Sequence, residues 1–501
     1  MNFSDFINHY KTKLFNLFHE QADIDELSTE RGLPQQIFDQ IMECKPLSVF
    51  IPEEYGGRGA KTHEALSMLG ASSYESLPLS LMMGINGALF LQPVANYGSE
   101  GVKQPIFDRF LKENNMGGLM ITEPDFGSDA LHMETAFKKS DDGKIYNVKG
   151  TKHWGGLTGD ADFWLITARK KNGSEKLGRD IGFFIHDTRR GGIEVKEYYK
   201  NPGLYMLPYG RNEINITVPA EYRLQPQSTG IKMMLDVLHR SRLQFPGMGI
   251  GFLKRMMEEG ITHCKERYVG GQSLFNYDQV KKRLNRLQSA FTVCSAMCAF
   301  TSENVPLEKN VAAMDISANA IKTYTTDLMQ QASQSLLQLM GAKGYRMDHI
   351  AGRSFIDSRP FQIFEGSNDI LYQQISESVL KKMRKLKFKN LYRFLSDFKL
   401  TERASDYFRE LLDFKINQSL TQNRLVELGR ILSRVISLEF TLRLGDKGFN
   451  QALINNTINT LREDVERMVT TFTCQKSPQV VEDYEDSSSW LDSITPQYVH
   501  T

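Results

Sequence analysis

Three regimes of hydrophobic spacing follow one another along the chain. Up to about residue 115, apolar residues recur at helical spacing. Stretches such as HEALSMLGASSYESLPLSLMMGINGALFLQPVANYG read as buried, small-residue-rich helices, and Gly56, Gly57 and Gly59 in IPEEYGGRG mark a loop among them. From about 116 to 230 the period shortens. GLMIT, KIYNVKGTKHW, DFWLITARK, IGFFIHDT, GGIEVKEYY and NEINITV are β-branched and aromatic runs separated by Gly, Asn and Asp, which predicts antiparallel strands in a compact β domain. From about 231 the helical period returns at length in GIGFLKRMMEEGITHCKERY, YDQVKKRLNRLQSAFTVCSAMCAFTS and DISANAIKTYTTDLMQQASQSLLQLMG, which predicts a bundle.

A fourth segment keeps two helical stripes, one through Leu425, Leu428, Leu432, Val435 and Ile436 and one through Ile454, Ile458, Leu461 and Val465. Its acidic end, VVEDYEDSSSWLDS, is expected to fray. The predicted class is α+β and mostly α. The N-terminal helical domain is placed at 1–115, the middle antiparallel β domain at 116–230, the C-terminal four-helix domain at 231–388 and a helical extension at 389–501.

Composition narrows the partners. The 61 basic and 60 acidic residues of the 501 nearly cancel, so no global charge favours nucleic acid or an acidic membrane face. Basic residues crowd 381–399, which reads as a solvated helix end. The five cysteines are odd in number and scattered, and Cys294 and Cys298 share a helix face as core residues; no metal site is expected. These features, with a charged amphipathic start instead of a leader and no long uncharged apolar run, predict a cytoplasmic protein without a membrane span.

Five short motifs carry the chemistry. ITEPDFGSDA (121–130) is a proline turn whose Gly127-Ser128 allow close backbone approach. GTKHWGG (150–156) places Trp154 on a strand. ERYVGGQSLFNYDQV (266–280) sets Arg267 at a helix end. QLMGAKGY (338–345) is a glycine-bearing helix terminus, expected to offer backbone N–H groups to phosphate oxygens. FQIFEGSNDI (361–370) sets one carboxylate, Glu365, behind an apolar run and before a glycine.

Taken in this order, with PEEYGGRG before them, the motifs resemble the acyl-CoA dehydrogenase family over roughly residues 1–388. The resemblance implies FAD as cofactor and an acyl-CoA or other acyl thioester as substrate. It also implies a homodimer or homotetramer with FAD near the subunit interface, and an electron-transferring flavoprotein as a possible acceptor. By resemblance, Ile121, Thr122, Gly127 and Ser128 touch the flavin, and Trp154, Gly155 and Gly156 lie against it. Arg267 and Gln279 reach the FAD of a neighbouring subunit. Gln338, Gly341 and Ala342 form the pyrophosphate-side loop, and Ser367 and Asp369 lie near the phosphates and adenosine. Ser128, Arg242, Phe364 and Gly366 are implied substrate contacts, with Leu81, Met82 and Met83 near the acyl pocket. Glu365 matches the base that removes the α-proton as flavin N5 takes the β-hydride. Ile363 and Phe364 are expected to bury it and raise its pKa.

Several departures are visible. Gly155-Gly156 stand where a branched residue and a hydroxyl residue are usual. ERYVGG lacks the usual Thr-Phe after its arginine. His239 stands where relatives often carry an acid near the CoA moiety. At the position where some members carry the base there is Ser241, which cannot serve. An oxidase on the same scaffold, a dehydrogenase of carrier-protein thioesters and a non-catalytic flavin-bearing protein are the competing expectations.

Overall fold

The computed structural model describes residues 1–171, 176–416, 419–474 and 479–481. The acidic end predicted to fray lies almost wholly outside them.

The principal N-terminal helices are α1 (Phe3–Asn16), α2 (Thr62–Glu75), α3 (Leu77–Tyr97) and α4 (Glu100–Lys112). In α3 the sequence is apolar all round, and the helix is accordingly a core element. By length and composition it could span a bilayer, contrary to the expectation of no such run, but 94% of its most apolar window is buried inside the protein. Its middle, Ile85–Leu91, widens to a π-turn. There Asn86 accepts the N–H of Gly117 at 2.7 Å and so fastens the start of the sheet to the helix.

The middle segment is a mixed sheet rather than a purely antiparallel one. Its strands are β1 (Gly117–Met120), β2 (Ala136–Lys139), β3 (Ile145–His153), β4 (Phe163–Lys171), β5 (Leu177–Asp187), β6 (Ile193–Tyr198) and β7 (Gly210–Pro219). Among the described residues their order is β1-β4-β2-β3-β7-β6, with β5 also on β4. β1 and β2 lie one after the other along β4 and both run parallel to it; the other pairs are antiparallel. The alternation in β7 marks a half-buried strand, whereas the run FWLITA of β4 is buried on both faces, as the central position requires.

Four long helices follow: α5 (Gly230–Glu266), α6 (Asp278–Asn304), α7 (Asp315–Met340) and, after the short α8 (Ile350–Ser358), α9 (Asn368–Lys385). Cys294 is buried on α6 and Cys298 partly so. The extension supplies α10 (Gln422–Asp446) and α11 (Gln451–Cys474), whose predicted stripes face inward. These helices are continuous with the bundle: α10 packs along α9 and against α6 and α7, and α11 against α6 and α10. Gly429 is the point of closest approach, since a Cβ there would lie 2.0 Å from the carbonyl oxygen of Tyr372. Lys381, Lys382, Arg384 and Lys385 at the end of α9 are exposed, as a solvated helix end should be.

Candidate active site

FQIFEGSNDI occupies the turn between α8 and α9. Phe361 lies in a short 3-10 turn (Arg359–Gln362) and is fully buried, and its ring meets those of Phe364 and Phe245. Glu365 and Gly366 then take left-handed backbone conformations, φ +55° and +91°. For the glutamate this costs about 1–2 kcal/mol. Buried cations hold the strained turn by its carbonyl oxygens. Arg242 on α5 donates Nε–H and Nη2–H to the Glu365 carbonyl at 3.0 and 2.8 Å, and its Nη1 donates to Asn319 at 2.9 Å. Lys322 on α7 donates to the Gly366 carbonyl and to Asn368 Oδ1, both at 2.9 Å.

The Glu365 side chain points inward. Its Oε1 accepts a hydrogen bond from Ser241 Oγ at 2.8 Å, and its Oε2 is buried with no protein partner. Burial raises the pKa of this carboxyl, against the opposing pull of the Ser241 hydrogen bond and of the Arg242 and Lys322 charges. Burial also pushes Lys322 down to about 7 and Arg242 to about 10, partly offset in both by Glu365. The expected burial by Ile363 does not occur. Ile363 is 57% exposed, and the dry surroundings come from the bundle side, where Phe361, Phe245 and Lys322 are fully buried.

Lys322, Asn368 and Asn319 were not selected from sequence, and Ser241 was noted only as standing where some members carry the base, not as a partner of Glu365. Lys322 carries a signal of its own kind: a fully buried lysine in NAIKTYTTDL, flanked by uncharged residues from 319 to 326. His239 is buried beside this group, donates to the carbonyl of Val311 at 3.3 Å and is pushed down to about 4 by burial. It is therefore neutral and turned inward, not placed for a soluble ligand's polar end. Leu81, Met82 and Met83 are core residues of α3.

A second cluster forms where β1 and β3 end. Glu123 is buried and accepts from the N–H groups of Glu134 and Thr135 at 2.5 and 3.0 Å and from Lys152 Nζ at 2.8 Å; Lys152 also donates to the Ile121 carbonyl. This network pins the turn that carries Ile121, Thr122, Gly127 and Ser128. His153 N–H donates to the Thr122 carbonyl, so the turn lies beside GTKHWGG. Trp154 is just beyond the strand rather than on it, with φ +55°. Trp154 as a residue is 48% exposed, and its ring lies 4.5 Å from that of Tyr199. A Cβ at Gly155 would make ordinary contacts with Trp164, Met120 and Thr158, but one at Gly156 would come within 2.8 Å of Ile85 Cδ1 from α3. Ile85 thus fills the space beside the unusual glycine pair.

Arg267, Gln279, Gln338, Gly341 and Ala342 gather elsewhere, at the far end of the bundle, and all are exposed. Arg267 caps α5, and Lys343 beyond α7 lies near enough to act on the same histidine, His263. Gln338 is sixteen residues beyond Lys322 on α7, about 24 Å at 1.5 Å per residue. QLMGAKGY is the carboxyl end of α7, and the Gly341 N–H is spent on the Leu337 carbonyl. The end of this helix is electronegative, and the chain passes there into a 3-10 turn, Gly341–Tyr345. Ser367 precedes α9 as its cap position, and Asp369 pairs with Arg430 of α10 at 3.0 Å.

Helices, then a sheet, then a bundle with the buried carboxylate oxygen of Glu365 at its edge define the acyl-CoA dehydrogenase class of fold. Models of the acyl-CoA dehydrogenase N-terminal, middle and C-terminal domains match residues 17–114, 118–215 and 228–380, and the chain belongs to that family. A rat protein, the mitochondrial very long-chain specific acyl-CoA dehydrogenase, is 24% identical over 342 residues, 66% of this chain. The chain spans about half of that relative's length, 52%. An acyl-CoA dehydrogenase from Bacillus anthracis, solved with FAD, superposes with a TM-score of 0.78 at 18% identity, over 95% of this chain and 89% of its own. Since the domain matches stop at residue 380, that coverage takes in most of the extension. A prolyl acyl carrier protein oxidase superposes with a TM-score of 0.65 at 18% identity, over 74% of this chain and 98% of its own.

Proposed function

We propose that the protein is an FAD-dependent dehydrogenase of acyl thioesters, acyl-CoA in the first instance, forming the trans-2-enoyl product. One observation carries this reading: Glu365 presents a buried, unpartnered Oε2 on a carboxylate whose pKa is raised by burial. A base of that kind is suited to a carbon acid, because a dry carboxylate binds a proton more strongly. Ser241 keeps the other oxygen engaged, so Oε2 is the atom that receives the α-proton. Arg242 and Lys322 fix the backbone from which the carboxylate projects.

The residues present fit a flavin. The exposed Trp154 ring, the pinned turn at 121–128 and the open space at Gly127 form a surface that a flat aromatic group could cover. FAD, when bound, supplies the hydride acceptor. In this reading Ile121, Thr122, Gly127, Ser128, Trp154, Gly155 and Gly156 hold its ring system. Gln338 stands about 24 Å along α7 from Lys322, and Arg267, Gln279, Gly341 and Ala342 share its end of the bundle. They serve the cofactor of a second copy, which makes the active form a homo-oligomer. Five unpaired cysteines, three of them buried, suit a reducing compartment such as the cytoplasm.

The test is an anaerobic titration of the purified protein with saturated acyl-CoAs of increasing chain length, following the visible flavin absorbance. Bleaching by one chain-length class supports the reading and sets the substrate range. A flavin that no acyl-CoA reduces overturns it in favour of a carrier-protein thioester or a non-catalytic role. Reoxidation by air at the turnover rate would make the enzyme an oxidase instead of one that passes electrons to a partner flavoprotein.

A further inference from the structure

The turn that carries Glu365 leads directly into α9, and α9 is gripped by the extension. Along α9, Asp369, Tyr372 and Ser376 fall on one face, as residues three, four and seven apart do. All three meet α10, with Asp369 on Arg430 at 3.0 Å, Tyr372 on Arg434 at 2.9 Å and Ser376 on the Leu425 carbonyl at 2.6 Å. Gly429 lies against Tyr372, and Leu425, four residues earlier, meets Ser376, four residues later, so the two helices are antiparallel here.

The middle contact continues inward. Arg434 is 3% exposed and lies over the Tyr324 ring at 4.1 Å. Its Nη1 donates to Tyr372 Oη, whose own proton goes to Asp327 Oδ2 at 2.5 Å, and its Nη2 stands 3.5 Å from the same Oδ2. The other oxygen of Asp327 accepts from Asn368 Nδ2 at 2.8 Å. Asn368 Oδ1 accepts from Lys322, and Lys322 holds the carbonyl of Gly366. A hydrogen-bonded path thus runs from the extension to the residue next to Glu365, wholly through buried or half-buried groups.

The geometry points to Arg434 as a positioning residue for Glu365: through Tyr372, Asp327, Asn368 and Lys322 the extension holds the strained turn in its left-handed conformation. The physical reason is charge as well as reach. Among the described residues Asp327 has one cation within ion-pair distance, Arg434 on Oδ2, while Oδ1 accepts from Gln362 and Asn368. An ordered Asp327 fixes the amide of Asn368, and a fixed amide presents its oxygen to Lys322 and so directs that ammonium to the Gly366 carbonyl as well. Without Arg434, Asn368 and Lys322 can rearrange and the turn loses one of its two carbonyl anchors. The inference rests on the reading of Glu365 as the base.

The test uses the full-length flavoprotein with Arg434→Met, which keeps length and removes charge, and Arg434→Lys as the conservative variant. Two readouts are taken: hydrogen–deuterium exchange of the peptide 361–371, and the rate of flavin reduction at saturating acyl-CoA. The expected result for Arg434→Met is at least tenfold faster exchange in that peptide and at least tenfold slower reduction, with the half-saturating substrate concentration little changed. Arg434→Lys is expected to recover part of both. Should Arg434→Met fail to fold, Tyr372→Phe carries the test, with about a threefold effect expected because the ion pair remains. Wild-type exchange in the peptide for whichever variant folds overturns the proposal. Exchange needs no substrate, so a wild-type flavin that no acyl-CoA bleaches would sink the functional reading while leaving the positioning test to decide on its own.

Discussion

Ser241 Oγ donates to one oxygen of Glu365 at 2.8 Å and leaves the other oxygen bare. The hydroxyl orients the carboxylate and stabilises its ionised form, so it lowers a pKa that burial has raised. The catalytic form of Glu365 is the anion, and the rate therefore rises with pH as the carboxyl ionises. Removing the hydroxyl removes a stabiliser of the anion. Ser241→Ala is expected to shift the acidic limb of the pH–rate profile to higher pH, while the rate on the plateau changes less. A stopped-flow pH profile of flavin reduction checks it; an unmoved or lowered acidic limb would contradict the assignment.

Glu365→Gln tests the base itself. Glutamine retains an oxygen to accept from Ser241 and the same backbone anchors, so folding and flavin content should match the wild type. Flavin reduction by substrate should slow at least about a hundredfold, the usual scale for losing a positioned base. The comparison requires equal flavin-to-protein ratios, measured by absorbance.

Gly366 has little freedom to change. Its φ is +91°, and a Cβ there would lie 3.0 Å from Leu371 Cδ2 and 3.2 Å from Arg242 Nη2. Gly366→Ala combines a disfavoured backbone with a push on the guanidinium that holds Glu365. It is expected to lower stability by about 1–2 kcal/mol and to slow flavin reduction as well. Thermal unfolding followed by flavin fluorescence reads the first effect and stopped-flow the second.

The order helix, sheet, bundle and extension was legible because hydrophobic period is set by element type, and each element is long enough to show it. The parallel pairing of β1 and β2 with β4 was not, since alternation along a strand records its faces and says nothing of its neighbours' direction. Glu365 stood out because an acid among phenylalanines is costly unless it is used. Lys322, and the bond of Ser241 to Glu365, did not, because their meaning depends on segments 40 and more residues away turning the same way. Ile363 misled for a related reason: an apolar residue next to an acid in sequence need not cover it, and here the left-handed turn sends the two side chains apart. Arg434 lay beyond the reach of motif reading, as its partners on α7 and α9 come from the family domain while it comes from the extension.

The seam between α9 and α10 offers a test of that last relationship. Gly429 has no room for a methyl group, which would meet the Tyr372 carbonyl oxygen at 2.0 Å, with the carbonyl carbon at 2.5 Å. Both are backbone atoms of a helix and cannot swing aside, so Gly429→Ala must part the helices. Overpacking of this kind costs about 1–3 kcal/mol. The displacement falls at Tyr372, the hydroxyl that joins Arg434 to Asp327. The expected outcome is a chain that still binds flavin, shows faster proteolytic cleavage between α9 and α10, and reduces flavin more slowly than the wild type. Cleavage and reduction both at wild-type rates would mean that the helices accommodate the methyl group and that the extension is not tightly seated on α9.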